Sequence, residues 1–144
     1  RALLLHLRPV QLKDKSLKEG VDSLLHELKQ KVPFDVNWKV DDLLLEKGIE
    51  DHLFRILQES VSNTLRHAKA SRLDIYIVKH EQSVIMRVID DGKGFDTTSA
   101  KAGSYGLQNM RERALEIGGT FKIISFPNQG TRVEVRVPIM KWYG

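Results

Sequence analysis

Cysteine is absent from all 144 residues, which excludes disulfides, cysteine-ligated metal sites and thiol redox chemistry. Long apolar runs are missing too. None approaches the ~20 residues needed to cross a bilayer, and no secretory signal is expected from these residues. Charge does not collect in blocks, because the basic residues are scattered without a run of five or more. The net charge of +4 therefore favours an anionic partner only in general terms: a nucleotide, a nucleic acid or a phosphoprotein. Several common site signatures also fail. There is no G-x-x-x-x-G-K-[ST], so a P-loop is excluded. Gly92 and Gly94 begin a G-x-G-x-x-G whose third glycine would fall on Thr97, which breaks the dinucleotide fingerprint. "DDGKGFD" lacks the alternating carboxylates of a calcium loop, and neither H-E-x-x-H nor G-x-S-x-G occurs.

What is present suits one compact domain: 41% hydrophobic and 29% charged residues, enough chain for a real core, and no repeat or linker. The chain opens on "RALLLHLRP" without an initiator Met, which reads as a piece of a longer protein. Residues 16–32 place Leu17, Val21, Leu24, Leu25 and Leu28 at helical spacing. Ser16 and Glu19 stand at capping-box spacing ahead of them, and Pro33 ends the run. "FDVNWKV" (34–40) alternates like a half-buried strand. Residues 48–68 read as one helix of about six turns, with Leu53, Leu57, Val61, Leu65 and Ala68 as its apolar stripe. Strands are expected at 71–80 and 83–90, joined at Glu81-Gln82 as a hairpin, then a loop over 91–105 and a helix over 106–117. "TFKIISF" and "TRVEVRVPI" make a closing hairpin around "PNQG". Helices on one face of a mixed sheet would bury all these patterns, so the fold class is α+β.

Three stretches invite a chemical reading. "RVIDDGKGFD" (87–96) ends a strand in two carboxylates and two glycines, which serve either a tight surface turn or a site. On the long helix, Glu59 and Asn63 are four apart, with Arg66 and His67 one turn on. Counted at 100° per residue, they lie roughly opposite the apolar stripe, as a merely solvated face also would. "GSYGLQNMRERA" (103–114) enters a helix through Gly103 and Gly106. It is either an ordinary junction or a phosphate seat at a helix N-terminus.

Taken in order, the parts are more specific than any one of them. "QESVSNTLRHAKAS", "DDGKGF", "GSYGLQNMRERA" and "GTRVEVRVP", preceded by "LRP", resemble the N box and glycine boxes of a known ATPase family. It is the ATP-binding catalytic domain of sensor histidine kinases, within the gyrase/chaperone/histidine-kinase/MutL (GHKL) superfamily. The variant is similar to the nitrate-sensor and Gram-positive cell-envelope-stress kinases. The resemblance implies a Bergerat-type two-layer α/β sandwich with a mixed, mostly antiparallel sheet. It assigns residues 1–9 to the end of a dimerisation helix or a linker, 10–139 to the catalytic domain and 140–144 to a tail.

The resemblance also implies roles. Asp90 would accept a hydrogen bond from the adenine amino group, with Thr131 supporting that contact through its hydroxyl, directly or with water. Gly92 and Gly94 would let the backbone approach the nucleotide, where a Cβ would collide. Asn63 would be the Mg²⁺ ligand, and Arg66 and His67 would contact phosphate or ribose. Gly106 and Leu107 would begin the helix that receives the phosphates. Residues 95–105 would form a lid, with Tyr105 over the nucleotide or packed within the lid, and Lys93 and Lys101 adding charge. Glu59 would be catalytic, activating water or assisting the acceptor. The implied cofactors are ATP and Mg²⁺.

The implied partners are a separate dimerisation domain carrying the acceptor His and a DNA-binding response regulator. No nucleic acid and no membrane contact by this domain are expected. The whole protein would be a homodimer, membrane-anchored, with this domain cytoplasmic. His26-Glu27 is superficially similar to an acceptor pair but sits inside the first helix and reads as a helix-face histidine. The alternative function is a related ATP-binding module, either a Ser/Thr (anti-sigma-type) kinase or a nucleotide-gated interaction domain.

Overall fold

The computed structural model describes residues 10–139, so the expectations for 1–9 and 140–144 lie outside the described residues. The first helix, α1 (Leu17–Lys31), begins on the expected capping box: the Ser16 hydroxyl accepts from the Glu19 N–H, and Glu19 reaches back to the Ser16 N–H. One more free N–H, that of Leu17, is taken at 2.9 Å by the buried Glu50 carboxylate from the next helix. Leu17, Val21, Leu25 and Leu28 are buried. Pro33 then turns the chain into β1 (Asp35–Val40), where Val36 and Val40 point inward and Trp38 edges onto His26 at 4.7 Å. His26 is therefore a packing residue on a helix face.

The second helix, α2 (Lys47–Asn63), buries Leu53, Phe54, Ile56, Leu57 and Val61. It does not continue to residue 68 as a regular helix. From Thr64 to Ala68 the chain widens into a π-helical turn, which Lys69 closes in a left-handed conformation (φ 49°). Such turns break the α ladder and re-aim the side chains beyond them.

The hairpin β2 (Arg72–His80) and β3 (Ser83–Asp90) follows as expected, with His80 facing Ser83 across the turn. The 91–105 segment holds a 3₁₀ turn (Ala100–Tyr105) and leads to α3 (Leu107–Glu116). The last hairpin is β4 (Thr120–Ser125) with β5 (Thr131–Pro138). The sheet order is β1-β2-β3-β5-β4, with β1 parallel to β2 and every other pair antiparallel. The three helices cover one face in two layers, and the core lies between, on Leu73, Ile75, Ile77, Met86, Val133, Val135 and the helix stripes.

Candidate functional site

Strand alternation decides how the two adjacent carboxylates divide their work. Asp90 shares the core-facing side of β3 with Val84, Met86 and Val88, so its side chain turns inward and is only 8% exposed. The Thr64 hydroxyl at 3.0 Å on Oδ2 and the Gly92 N–H at 2.9 Å on Oδ1 hold it, and the Thr131 backbone also reaches it. Thr64 Oγ1 also lies 3.4 Å from the Ser60 carbonyl, but its single proton favours the closer, charged acceptor. Burial pushes the Asp90 carboxyl above the usual carboxylate range, against the Gly92, Thr64 and Thr131 hydrogen bonds and helped by the neighbouring Asp91 charge. Asp91 points the other way. Its carboxylate accepts from the Ser71 hydroxyl and the Ser71 and Arg72 N–H groups, which holds its pKa low and staples β3 to the start of β2.

Gly94 serves the chain's own packing. It sits at φ 60°, and a Cβ there would run into the Phe126 carbonyl oxygen and come within 2.8 Å of that of Gly130. The backbone of the β4–β5 turn thus occupies the space a Cβ would need, a reason for glycine here that is separate from any nucleotide. Thr131 lines the cleft above Asp90. Its hydroxyl pairs with Ser125 Oγ at 2.7 Å, while Ser125 Oγ also receives the Phe95 N–H at 2.9 Å. Thr131 reaches Asp90 through its backbone alone, and Thr64 supplies the hydroxyl.

Above Asp90, α2, the sheet and the segment after β3 line a narrow cleft. Val88, Ile123 and Val133 form its apolar floor. Its roof is aromatic: Phe95 stacks on Tyr105 at 3.8 Å and 4°, and Tyr105 leans on His67 at 4.4 Å. Burial, then the charges of Arg66 and Lys93, hold the His67 pKa below its ordinary value. From α2 and the π-helical turn, Ser60, Asn63, Thr64 and His67 line one wall at spacings of three, four and seven. Asn63 and His67 therefore flank the core instead of facing away from it.

The polar end of the cleft gathers the remaining expected residues. Asn63 Nδ2 donates to the Tyr105 carbonyl at 2.7 Å, and its Oδ1 accepts from Arg66 at 2.9 Å, so both partners fix the amide's orientation. Arg66 also lies 3.8 Å from Glu59. Gly106, at φ 66°, packs its bare Cα against the Glu59 carboxylate; a Cβ there would come within 2.9 Å of Glu59 Cδ. Leu107 opens α3, whose first turn has no side-chain cap and so leaves N–H groups and a positive dipole end free. Glu59 itself lines a second cleft with Arg55, Gln58 and Arg113. The backbone of Lys93 accepts from the Asn128 N–H; the Lys101 side chain lies outside the described set.

Among the described residues no three His, Asp or Glu side chains converge to hold a metal. A divalent cation fits here only as Mg²⁺ fits elsewhere, with one amide or carboxylate oxygen and the rest from phosphate and water. Asn63 Oδ1 is the available oxygen once Arg66 yields it. Sequence reasoning missed Thr64, Ser60, Phe95 and Ser125 as site residues. A run of small polar side chains at i, i+3, i+4 and i+7 beside an apolar stripe was the signal for the first two.

A buried carboxylate beneath an aromatic roof, with an uncapped helix end at the mouth, is the site of a nucleotide-binding α/β sandwich. Residues 48–141 match the family of histidine kinase-, DNA gyrase B-, and HSP90-like ATPases, and the chain belongs to that family. Over 98% of its length it is 54% identical to the sensor protein VraS of Staphylococcus saprophyticus, of which it covers 41%. It is 52% identical to VraS of Staphylococcus aureus strain COL, again over 98% of the chain and 41% of the relative. The chain thus spans about two fifths of the length of the relatives it matches. Among solved structures, the ATP-binding domain of PrrB from Mycobacterium tuberculosis superposes with a TM-score of 0.69 at 20% identity, over 88% of this chain and 96% of that one. The blue-light activated histidine kinase of Erythrobacter litoralis EL346 gives 0.74 at 18% identity, over 89% of this chain and 43% of that one. Both share the fold described above, and the domain is an ATP-binding one.

Proposed function

We propose that this domain binds Mg-ATP and serves as the catalytic part of a sensor histidine kinase, passing the γ-phosphoryl group to a histidine on a separate dimerisation domain. The phosphoryl group would then go on to a DNA-binding response regulator. The whole protein would be a membrane-anchored homodimer with this domain on the cytoplasmic side. The observation that carries the reading is Asp90, a buried carboxylate whose protein partners are donors. Such a group can only accept, and the adenine amino group is the donor that suits it. Guanine carries an oxygen at that position, which would set acceptor against acceptor. Asn63 would hold the cation through Oδ1, Arg66 and the α3 N-terminus at Gly106 and Leu107 would receive the phosphates, and Tyr105 and Phe95 would cover the base. Glu59, beside Gly106, would act on the acceptor or on water and not on nucleotide affinity.

Calorimetry tests this directly. Wild type should bind ADP and ATP well above GDP, and Asp90→Asn should lose about 5- to 150-fold for ADP, the effect of ~1–3 kcal/mol for an unpaired buried group. Undiminished ADP affinity in Asp90→Asn, or equal affinity for both purines in wild type, would overturn the reading. Adding a separately expressed dimerisation domain and labelled ATP should give acid-labile phosphate on histidine. Acid-stable label on Ser or Thr would refute histidine transfer.

A further inference from the structure

We propose that Thr64 is a specificity-determining positioning residue: through its hydrogen bond to Asp90 it makes the site choose a purine with an amino group at C6 over one with an oxygen. The inference rests on the nucleotide reading above but concerns a residue to which that reading gives no role in selectivity. Thr64 is only 3% exposed, and its hydroxyl is not consumed by the helix, because the Ser60 carbonyl lies farther off than Asp90 Oδ2. The π-helical turn begins at this residue, where a regular α-helix would be expected to run on.

The Thr64 and Gly92 donors on Asp90 differ in kind. The Gly92 N–H belongs to the strand end and cannot turn away, whereas the Thr64 hydroxyl is a side-chain group that a substitution can remove without cutting the backbone. With both donors present, each carboxylate oxygen is committed to accepting, and its remaining lone pairs face the cleft. With the hydroxyl gone, Oδ2 loses a donor that the Gly92 N–H, seated on Oδ1, does not replace. Burial already favours the protonated form of this carboxyl, and a proton taken up on Oδ2 would turn the group into a donor. A donor there accepts a C6 oxygen as readily as the ionised group accepts an amino group. Thr64 would thus act on selectivity more than on the fold, and without touching the base.

The test compares ADP with inosine diphosphate, which carries an oxygen at C6 and a proton on N1, for wild type, Thr64→Val, Thr64→Ala and Thr64→Ser. Thr64→Val keeps the shape and loses the hydroxyl; Thr64→Ala provides the same deletion should valine fail to fold. The expected result is about a tenfold loss for ADP in the deletion variants, as one hydrogen bond to a charged group implies. The inosine nucleotide should weaken less or bind better, so the ratio narrows, and Thr64→Ser should restore it. Equal losses for both nucleotides, an unchanged ratio, or no rescue by serine would overturn the proposal. Wild type that fails to prefer ADP would instead sink the nucleotide reading itself, so the two failures are distinguishable.

Discussion

Substituting Gly94 by alanine should damage the fold before any ligand is added. The residue sits at φ 60°, where an L side chain costs about 1–2 kcal/mol. Its Cβ would also overlap the Phe126 carbonyl oxygen and lie 2.8 Å from the Gly130 oxygen. Those are backbone atoms of the β4–β5 turn. They are pinned by the Gln129 N–H on Phe126 at 3.0 Å and by Asn128 on Lys93, so the neighbours cannot move aside as a flexible side chain would. Forced overlap of this kind adds about 1–3 kcal/mol. The sum, ~2–5 kcal/mol, is a large part of the ~5–15 kcal/mol that holds a domain together. For a chain of this size it lowers Tm by about 6–15 °C. Gly118 is the internal control: it has φ 72° but nothing within 4 Å of its added Cβ. Gly118→Ala should therefore show the conformational cost alone, ~1–2 kcal/mol. Urea unfolding followed by circular dichroism, without nucleotide, separates the two. If Gly94→Ala unfolds at the same midpoint as Gly118→Ala, or loses only nucleotide affinity, then Gly94 is glycine for the ligand's sake and the packing argument fails.

The remaining tests are shorter. Glu134 receives Arg87 at 2.7 Å, with Arg132 3.5 Å away, and the Arg87 hydrogen bond above all holds its carboxyl below the ordinary 4.5. Its stabilisation is present above that value and lost as pH falls through the lower folded-state pKa. Glu134→Gln should thus cost about 1 kcal/mol at neutral pH and nothing in strong acid, as read by urea midpoints across pH. His67 should titrate below its ordinary value in an NMR pH series, and Tyr105→Ala, by exposing the ring, should raise that midpoint. Asp90 has the opposite sign: its raised pKa means the folded chain holds the extra proton, so stability falls as pH rises through the window above 3.8. Asp90→Asn should abolish that slope and melt no lower than wild type at neutral pH while binding ADP poorly. Glu59→Ala should lower phosphotransfer to an added dimerisation domain more than it lowers ATP affinity; equal losses would count against a chemical role.

Where one local rule governs, the chain could be read in advance. The Ser16–Glu19 box, the Pro33 stop and the alternation in residues 83–90 and 131–138 each depend on neighbours within a few positions, and the elements stand close to where those patterns put them. The site was legible as a set of residues for the same reason: the N box and glycine boxes are local strings. What the sequence could not show was what those residues touch. The Thr64 hydroxyl, at the end of α2, bonds a strand residue 26 positions away, a contact that no local pattern announces. Gly94 is constrained by a turn more than 30 residues later, a packing requirement that no local string announces.

The pair Asp90-Asp91 shows how closely the fold and the site are joined at this strand end. Because successive side chains of a strand face opposite ways, the two carboxylates cannot share one task. The outer one takes three donors from Ser71 and Arg72 and fixes where β2 starts, just beyond the π-helical turn and Lys69. That junction in turn sets where Thr64 and His67 stand against the cleft. Asp91, without entering the cleft, therefore holds the wall that faces Asp90. Replacing Asp91 by alanine should loosen nucleotide binding and the fold together, whereas Asp90→Asn separates them. The contrast follows from geometry, since one side chain closes a loop and the other sits at the end of a pocket.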